Sequence, residues 1–193
     1  SVLILAAGMI ISVVGVDQAR SQVVDSYGTS IQVVANALRD QLSDAEALAS
    51  ISLLEDELIR LCASGNTAPD LYGYVRFGDS LALRVNNRTL DVRLTILMPG
   101  ENWAISTAYG VRRTKELGMD EEYYALMGKK AQWHVAPRLG SELDPPDRKE
   151  ESPQSLTIAE GFLRRKQKSP CILIEIPEKS LMKALTDATA GMD

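Results

Sequence analysis

The chain has one histidine, His134, and two cysteines, Cys62 and Cys171, in 193 residues. With a single imidazole, a hydrolase using a serine or cysteine nucleophile near neutral pH must be built around His134. No G-x-S-x-G elbow surrounds any serine, and no phosphohistidine pattern flanks His134. The two cysteines lie far apart and form neither a disulfide framework nor a C-x-x-C zinc pair. Each stands among apolar neighbours, the setting of a buried thiol, with a single bridge between them as the alternative. Glycine-rich phosphate loops of the forms G-x-x-x-x-G-K-[ST] and G-x-G-x-x-G are missing as well. We therefore expect no catalytic residue, no metal and no cofactor in this chain.

A basic excess is also lacking. Lys and Arg number 21 against 26 Asp and Glu, for a net charge of −5. A surface that binds nucleic acid must release counterions from phosphates, so this balance argues against it. The acidic runs Glu55-Asp56-Glu57 and Asp120-Glu121-Glu122 read as solvated helix faces. Asp144, Asp147, Glu150 and Glu151 lack the ligand spacing of a calcium loop. Arg164-Arg165-Lys166-Gln167-Lys168 reads as a turn between strands.

No charge occurs in Val2 to Val16, VLILAAGMIISVVGV. A bilayer span needs about 20 apolar residues, so residues 1–16 read as the last part of a transmembrane helix that begins upstream of Ser1. A buried core helix and the apolar stretch of a signal peptide are the alternatives. A cleaved signal would show a small-residue site and then a change of character, and neither follows Val16. From Asp17 to Arg60 there are three basic residues against eight acidic ones. Cytoplasmic flanks are rich in Lys and Arg, so the chain beyond the span is placed on the extracytoplasmic side of the cell membrane.

No proline precedes Pro69, which allows one helix over residues 17–64, a membrane-proximal stalk. Val24, Tyr27, Ile31, Val34 and Leu38, then Leu42, Ala45, Leu48, Ile51, Leu54, Leu58 and Leu61, recur at threes and fours, the spacing of one buried stripe. Forty-eight helical residues would extend roughly 70 Å, beyond the width of a small domain, so a homodimer along the stalk is expected.

The texture changes after Gly65. Asp70 is a candidate cap for a helix through Leu71, Tyr74, Leu81 and Leu83, weakened by Gly73 and Gly78. In DVRLTILM the residues Val92, Leu94, Ile96 and Met98 alternate with Arg93, Thr95 and Leu97; Pro99-Gly100-Glu101-Asn102 is a turn and WAIST the returning strand. A short helix opens at Asp120-Glu121-Glu122, and Ala131 to Ala136 is a strand candidate. Arg138 to Gln154, charged and proline-rich, reads as a mobile surface excursion. Strands return at Ser155 to Leu163 and at Cys171 to Ile176. CILIEI is nearly all apolar and suits a central strand. Pro177 ends it, and Glu178 to Thr189 forms an amphipathic helix. The expected class is α+β, with about five antiparallel strands and helices mostly on one face of the sheet.

Three tracts carry a resemblance: LTILMPGENWAIST, EEYYALMGKKAQWHV and ILIEIPEKSLMKAL. Together with the apolar opening and the long helix, they resemble the Cache family, extracytoplasmic PAS-like sensor domains. The likeness is above all to the sensor regions of Gram-positive transmembrane histidine kinases paired with AraC-type response regulators. The resemblance implies that residues 65–193 form a PAS-like sensor domain ending in a membrane-directed helix, with a second apolar span and a kinase module beyond Asp193. The fragment itself would not be an enzyme. It would relay binding of a small molecule or an extracytoplasmic protein through helix movement. Membrane-bound AraC-type regulators, chemoreceptors and diguanylate cyclases carry similar sensor pieces, and a tethered binding protein without signalling output is a further alternative. In a PAS-like lobe the ligand lies between the sheet and the connections after the first hairpin. That picks out Tyr109, Tyr124, Trp133 and Arg138, three aromatic faces and one fixed cation. The Tyr, Arg, Trp and Asp set with which amino-acid-binding Cache receptors clamp their ligand does not map onto this sequence.

Overall fold

A computed structural model describes residues 32, 35–36, 39–64, 70–86, 91–99, 102–127, 133–146, 154–160 and 169–190. The apolar run 1–16, most of 17–40 and the basic cluster 164–168 lie outside the described residues. Among the described residues no helix is long and apolar enough to cross a membrane. Everything below belongs to the compact unit Gln41–Ala184, apart from the last turns of the final helix.

Helical residues 41–53 form α1, and α2 follows at Asp56–Ser64. The uninterrupted helix expected through residue 64 is thus broken at Leu54 and Glu55. Ser52 Oγ donates to Leu48 O (2.9 Å), a local bond that loosens and bends helices, and Leu54 N bonds back to Ile51 O (3.0 Å) in a tightened turn. The buried stripe also differs from the expected one. Ala45, Ala49 and Ser52 are fully buried, whereas Ile51 and Leu54 are exposed. Small side chains fill the centre of the inner face of α1, with Leu42, Leu48 and Leu53 packed at its margins.

Helix α3, Leu71–Val85, begins where Asp70 accepts from Gly73 N (2.9 Å), an N-cap as the sequence suggested. Its inner face is Tyr74, Phe77, Gly78, Leu81 and Val85, and Leu83 faces solvent instead. Gly78 is needed because α3 crosses the sheet closely: a Cβ there would stand 2.9 Å from Ile105 Cγ2.

Six strands make one antiparallel sheet, one more than expected. They are β1 Arg93–Leu97, β2 Trp103–Ser106, β3 Gly110–Arg113, β4 His134–Pro137, β5 Gln154–Glu160 and β6 Cys171–Pro177, ordered β3-β2-β1-β6-β5-β4. The hairpin β1-β2, expected from the sequence, pairs Ile96 with Ile105. The added strand β3 pairs Val111 with Ile105 at the sheet edge. β6 lies at the centre, between β1 and β5, and every one of its residues is buried.

One sheet face carries Leu94, Ile96, Ile105, Ile158, Ile172, Ile174 and Ile176 against α1, α2 and α3. The other carries Leu97, Ala104, Ala136, Ala159, Cys171 and Leu173. That second face is covered by a 3-10 turn at Thr114–Leu117, by α4 (Glu121–Met127) and by the segment 138–146. Asp120 caps α4, accepting from Tyr123 N (2.8 Å). The final helix α5, Glu178–Ala190, leaves directly from β6.

Gly78→Ala should lower the unfolding free energy by about 1–2 kcal/mol in a denaturant titration, because overpacking exceeds the gain in helix propensity. Leu83→Ala, on the exposed side of the same helix, should stay within about 0.5 kcal/mol.

Candidate functional site

The second face of the sheet is apolar toward β2 and α4 and polar toward one corner. Across four strands the register aligns His134 with Thr157, Thr157 with Glu175, and Glu175 with Arg93. Side chains alternate along a strand, so residues paired across strands share a face. Glu175 is the only acid in an otherwise apolar strand, 2 % exposed. Its Oε1 accepts from Leu139 N (2.9 Å) and from Ser155 Oγ (3.4 Å). Burial pushes its carboxyl from the usual 4.5 up to about 7, against the opposing pull of the Leu139 amide, Arg93, Ser155 and Arg138.

Leu139 belongs to the strap 138–146, which the sequence suggested was a mobile surface excursion. Its first part is docked instead: Arg138, Leu139 and Gly140 are buried and Ser141–Leu143 is a 3-10 turn. Gly140 has φ +69° and lies flat against the Tyr109 ring, where a Cβ would come within 2.5 Å of Cε2. Gly140 N donates to Leu117 O (2.9 Å). Residues 147–153 of the expected excursion lie outside the described residues.

Arg138 is the centre of the strap. Its side chain is 5 % exposed and Nη2 forms an ion pair with Oδ2 of the half-buried Asp144, while Nε has no hydrogen-bond partner. Asp144 Oδ1 accepts from the Tyr109 hydroxyl (2.9 Å), and Arg93 Nη1 approaches that hydroxyl from the sheet (3.5 Å). Burial, then the Asp144 hydrogen bond, raise the Tyr109 phenol above its usual range, so it stays a donor at neutral pH. One chain of polar contacts thus runs from Arg138 through Asp144 and Tyr109 to Arg93, whose positive charge also acts on Glu175 across the strand pair.

This network forms one wall of a cleft of about 810 Å³, lined among others by Arg93, Thr107, Tyr109, Arg138, Asp144 and Lys179. The size lies within the range of small-molecule sites. Three cations reach it. Arg93 also pairs with Asp91 (3.6 Å), and Lys179 has no ion-pair partner among the described residues. The first turn of α5 borders the cleft and is tied to the start of β1, Asp91 N donating to Ser180 Oγ (3.1 Å). On the far side of Arg138 a second hollow of about 300 Å³ reaches Tyr123 and Gly140.

Of the four residues picked out from sequence, Tyr109 and Arg138 meet here, through Asp144. Tyr124 is half-buried against the second-face core. Trp133 turns to the opposite face, where Nε1 donates to Glu46 Oε1 of α1 (2.8 Å). Arg93, Asp144, Glu175 and Lys179 were not picked out. A lone Glu inside CILIEI was the available signal, since a charge in a fully buried strand needs partners. His134 Nε2 is also buried without a hydrogen bond. Cys62 and Cys171 are not joined in a disulfide, and burial pushes the Cys62 thiol up to about 11. Among the described residues no group of three His, Cys, Asp or Glu could hold a metal.

Arg138→Met alone should cost about 3–5 kcal/mol in denaturant unfolding, because Asp144 is left uncompensated; adding Asp144→Leu should recover most of the loss. Glu175 gives a pH signature. Its carboxyl is raised in the folded state, so its contribution to stability is full below pH 4.5 and is lost as pH rises through about 7. Each tenfold tightening of proton binding is worth about 1.4 kcal/mol, so the loss is roughly 3 kcal/mol. Unfolding curves from pH 4.5 to 8 should show this fall relative to Glu175→Gln, which has nothing to titrate there.

Comparison of the sequence with protein-family profiles and curated proteins, and of the fold with solved structures, gives no match.

Proposed function

We propose that this chain is the extracytoplasmic sensor domain of a transmembrane signal-transduction receptor, a two-component sensor histidine kinase, and that the cleft takes a small ligand bearing an anionic group. The observation that carries the reading is the position of the cleft. It joins a cluster of fixed cations to the first turn of α5, the helix that leaves the sheet's central strand. A ligand engaging Arg93, Arg138 and Lys179 contacts β1, the strap and α5 together, so its binding energy can bias the packing of α5. The Arg138–Asp144 pair illustrates the kind of group the site accommodates: a carboxylate held by a guanidinium and a phenol. The apolar opening of the sequence and its acidic flank support the membrane attachment. Exposed Ile51 and Leu54 at the end of α1 fit the homodimer that the stalk pattern suggests.

A thermal-shift screen of small carboxylates and phosphates tests the site. A ligand present at a hundred times its Kd should raise stability by about 2.7 kcal/mol, and Arg93→Gln with Lys179→Gln should remove the shift without lowering the unliganded Tm by more than a few degrees. If no acid stabilises the protein, or the double variant responds equally, the site reading fails. The signalling reading is tested by ligand-dependent autophosphorylation of the whole membrane protein that carries this chain. A ligand that shifts melting but leaves phosphorylation unchanged would assign a tethered binding protein instead.

A further inference from the structure

Glu175 does not reach the cleft, yet it holds the strap that forms the cleft's wall. Its carboxylate accepts the amide of Leu139, the residue next to Arg138, and the strap closes the sheet face over it. The groups facing it are few and come from every neighbouring element. Arg93 stands on β1; Ser155 and Thr157 on β5; Arg138 on the strap; Tyr123 on α4, whose phenol the Glu175 charge pushes further up; and His134 on β4, one rung beyond Thr157. Cys171 lies on the same face of β6. Both arginines offset the Glu175 charge only in part, since Arg138 is paired with Asp144 and Arg93 with Asp91.

Resting on the reading of the cleft as a ligand site, we propose that Glu175 is a proton-operated lock on it: protonated, Glu175 lets the strap 138–146 stay closed on the sheet, and ionised, it drives the strap to open. The physical cause is hydration. With the strap closed, an ionised carboxylate has two hydrogen-bond donors and is shut off from solvent, in a pocket that favours the neutral acid. With the strap lifted, solvent reaches the carboxylate and the charge is tolerated. Because the proton is held more tightly in the closed state, proton binding and closure reinforce one another. The strap carries Arg138 and Asp144, so opening disassembles that wall of the cleft. An acid ligand that engages Arg93 and Arg138 draws their positive field away from Glu175 and favours its protonation. Ligand binding is therefore accompanied by proton uptake, and affinity rises as pH falls from about 7.5 to about 5.5.

Amide hydrogen exchange on the 193-residue chain, without ligand, tests the lock. Protection factors, corrected for intrinsic exchange, are compared at pH 5.5 and 7.5. Leu139 and Gly140 should lose protection by about tenfold at the higher pH, with β1 and β2 amides unchanged. In Glu175→Gln, a neutral mimic of the acid, strap protection should be high and flat with pH. Ser155→Ala removes a donor to the carboxylate and should move the midpoint of the loss to higher pH, which serves if the Gln variant does not fold. Flat protection in the parent protein, an equal loss in Glu175→Gln, or an unmoved midpoint in Ser155→Ala overturns the proposal. No ligand is present in this experiment, so failure of the lock and failure of the ligand reading are seen separately.

Discussion

A β-strand covered on both faces must satisfy any charge it carries without bulk solvent, and in β6 that constraint falls on Glu175. Its neighbours Ile174 and Ile176 are buried under the helical layer, so the side chain can point only to the second face. There the layer is thin: one short helix, one 3-10 turn and the strap. The strap's amide at Leu139 supplies the donor nearest the carboxylate, 2.9 Å away. That contact, with the Gly140 amide on Leu117 O and the Arg138–Asp144 pair, docks the strap that forms one wall of the cleft.

Two acids share this corner with different fates. Asp144 is held by a guanidinium and a phenol, a half-buried carboxylate with a partner on each oxygen. Glu175, with one amide and one hydroxyl, has less compensation and is held near the midpoint of its titration at neutral pH. Arg138 lies between them. Anything that changes its pairing, whether a ligand's acid group or loss of Asp144, alters the field at Glu175. This gives the proposed sensor a route by which chemistry in the cleft reaches the central strand and, through β6, the helix that continues it.

The regular elements were the legible part. The hairpin, the central strand CILIEI, the Asp70 cap and the final helix each rest on local patterning: alternation, an unbroken apolar run, a side-chain acceptor, a proline boundary. Strand β3 was missed because Gly110–Arg113 is a short edge segment with little to bury, and its order comes from pairing with β2. The strap was misread because its charges and prolines suggest solvent, whereas its buried arginine finds a partner six positions along in Asp144. On α1 the threes-and-fours spacing correctly marked a helix and placed Leu42, Ala45 and Leu48 on the core side, but Ile51 and Leu54 were assigned inward where the helix bends and Ala49 and Ser52 are buried instead.

By itself the sequence determined the α+β class, the central place of β6 and the acidic balance of charge, because these depend on hydrophobic periodicity and composition, which are properties of neighbours along the chain. It also put Tyr109 and Arg138 forward as binding residues. Only the tertiary structure decided that these two meet through Asp144, that Trp133 belongs to the opposite face, and that Glu175 is sealed beneath Leu139. Those outcomes depend on strand order and register, which bring together residues from β1, β5, β6 and the strap that share no local pattern.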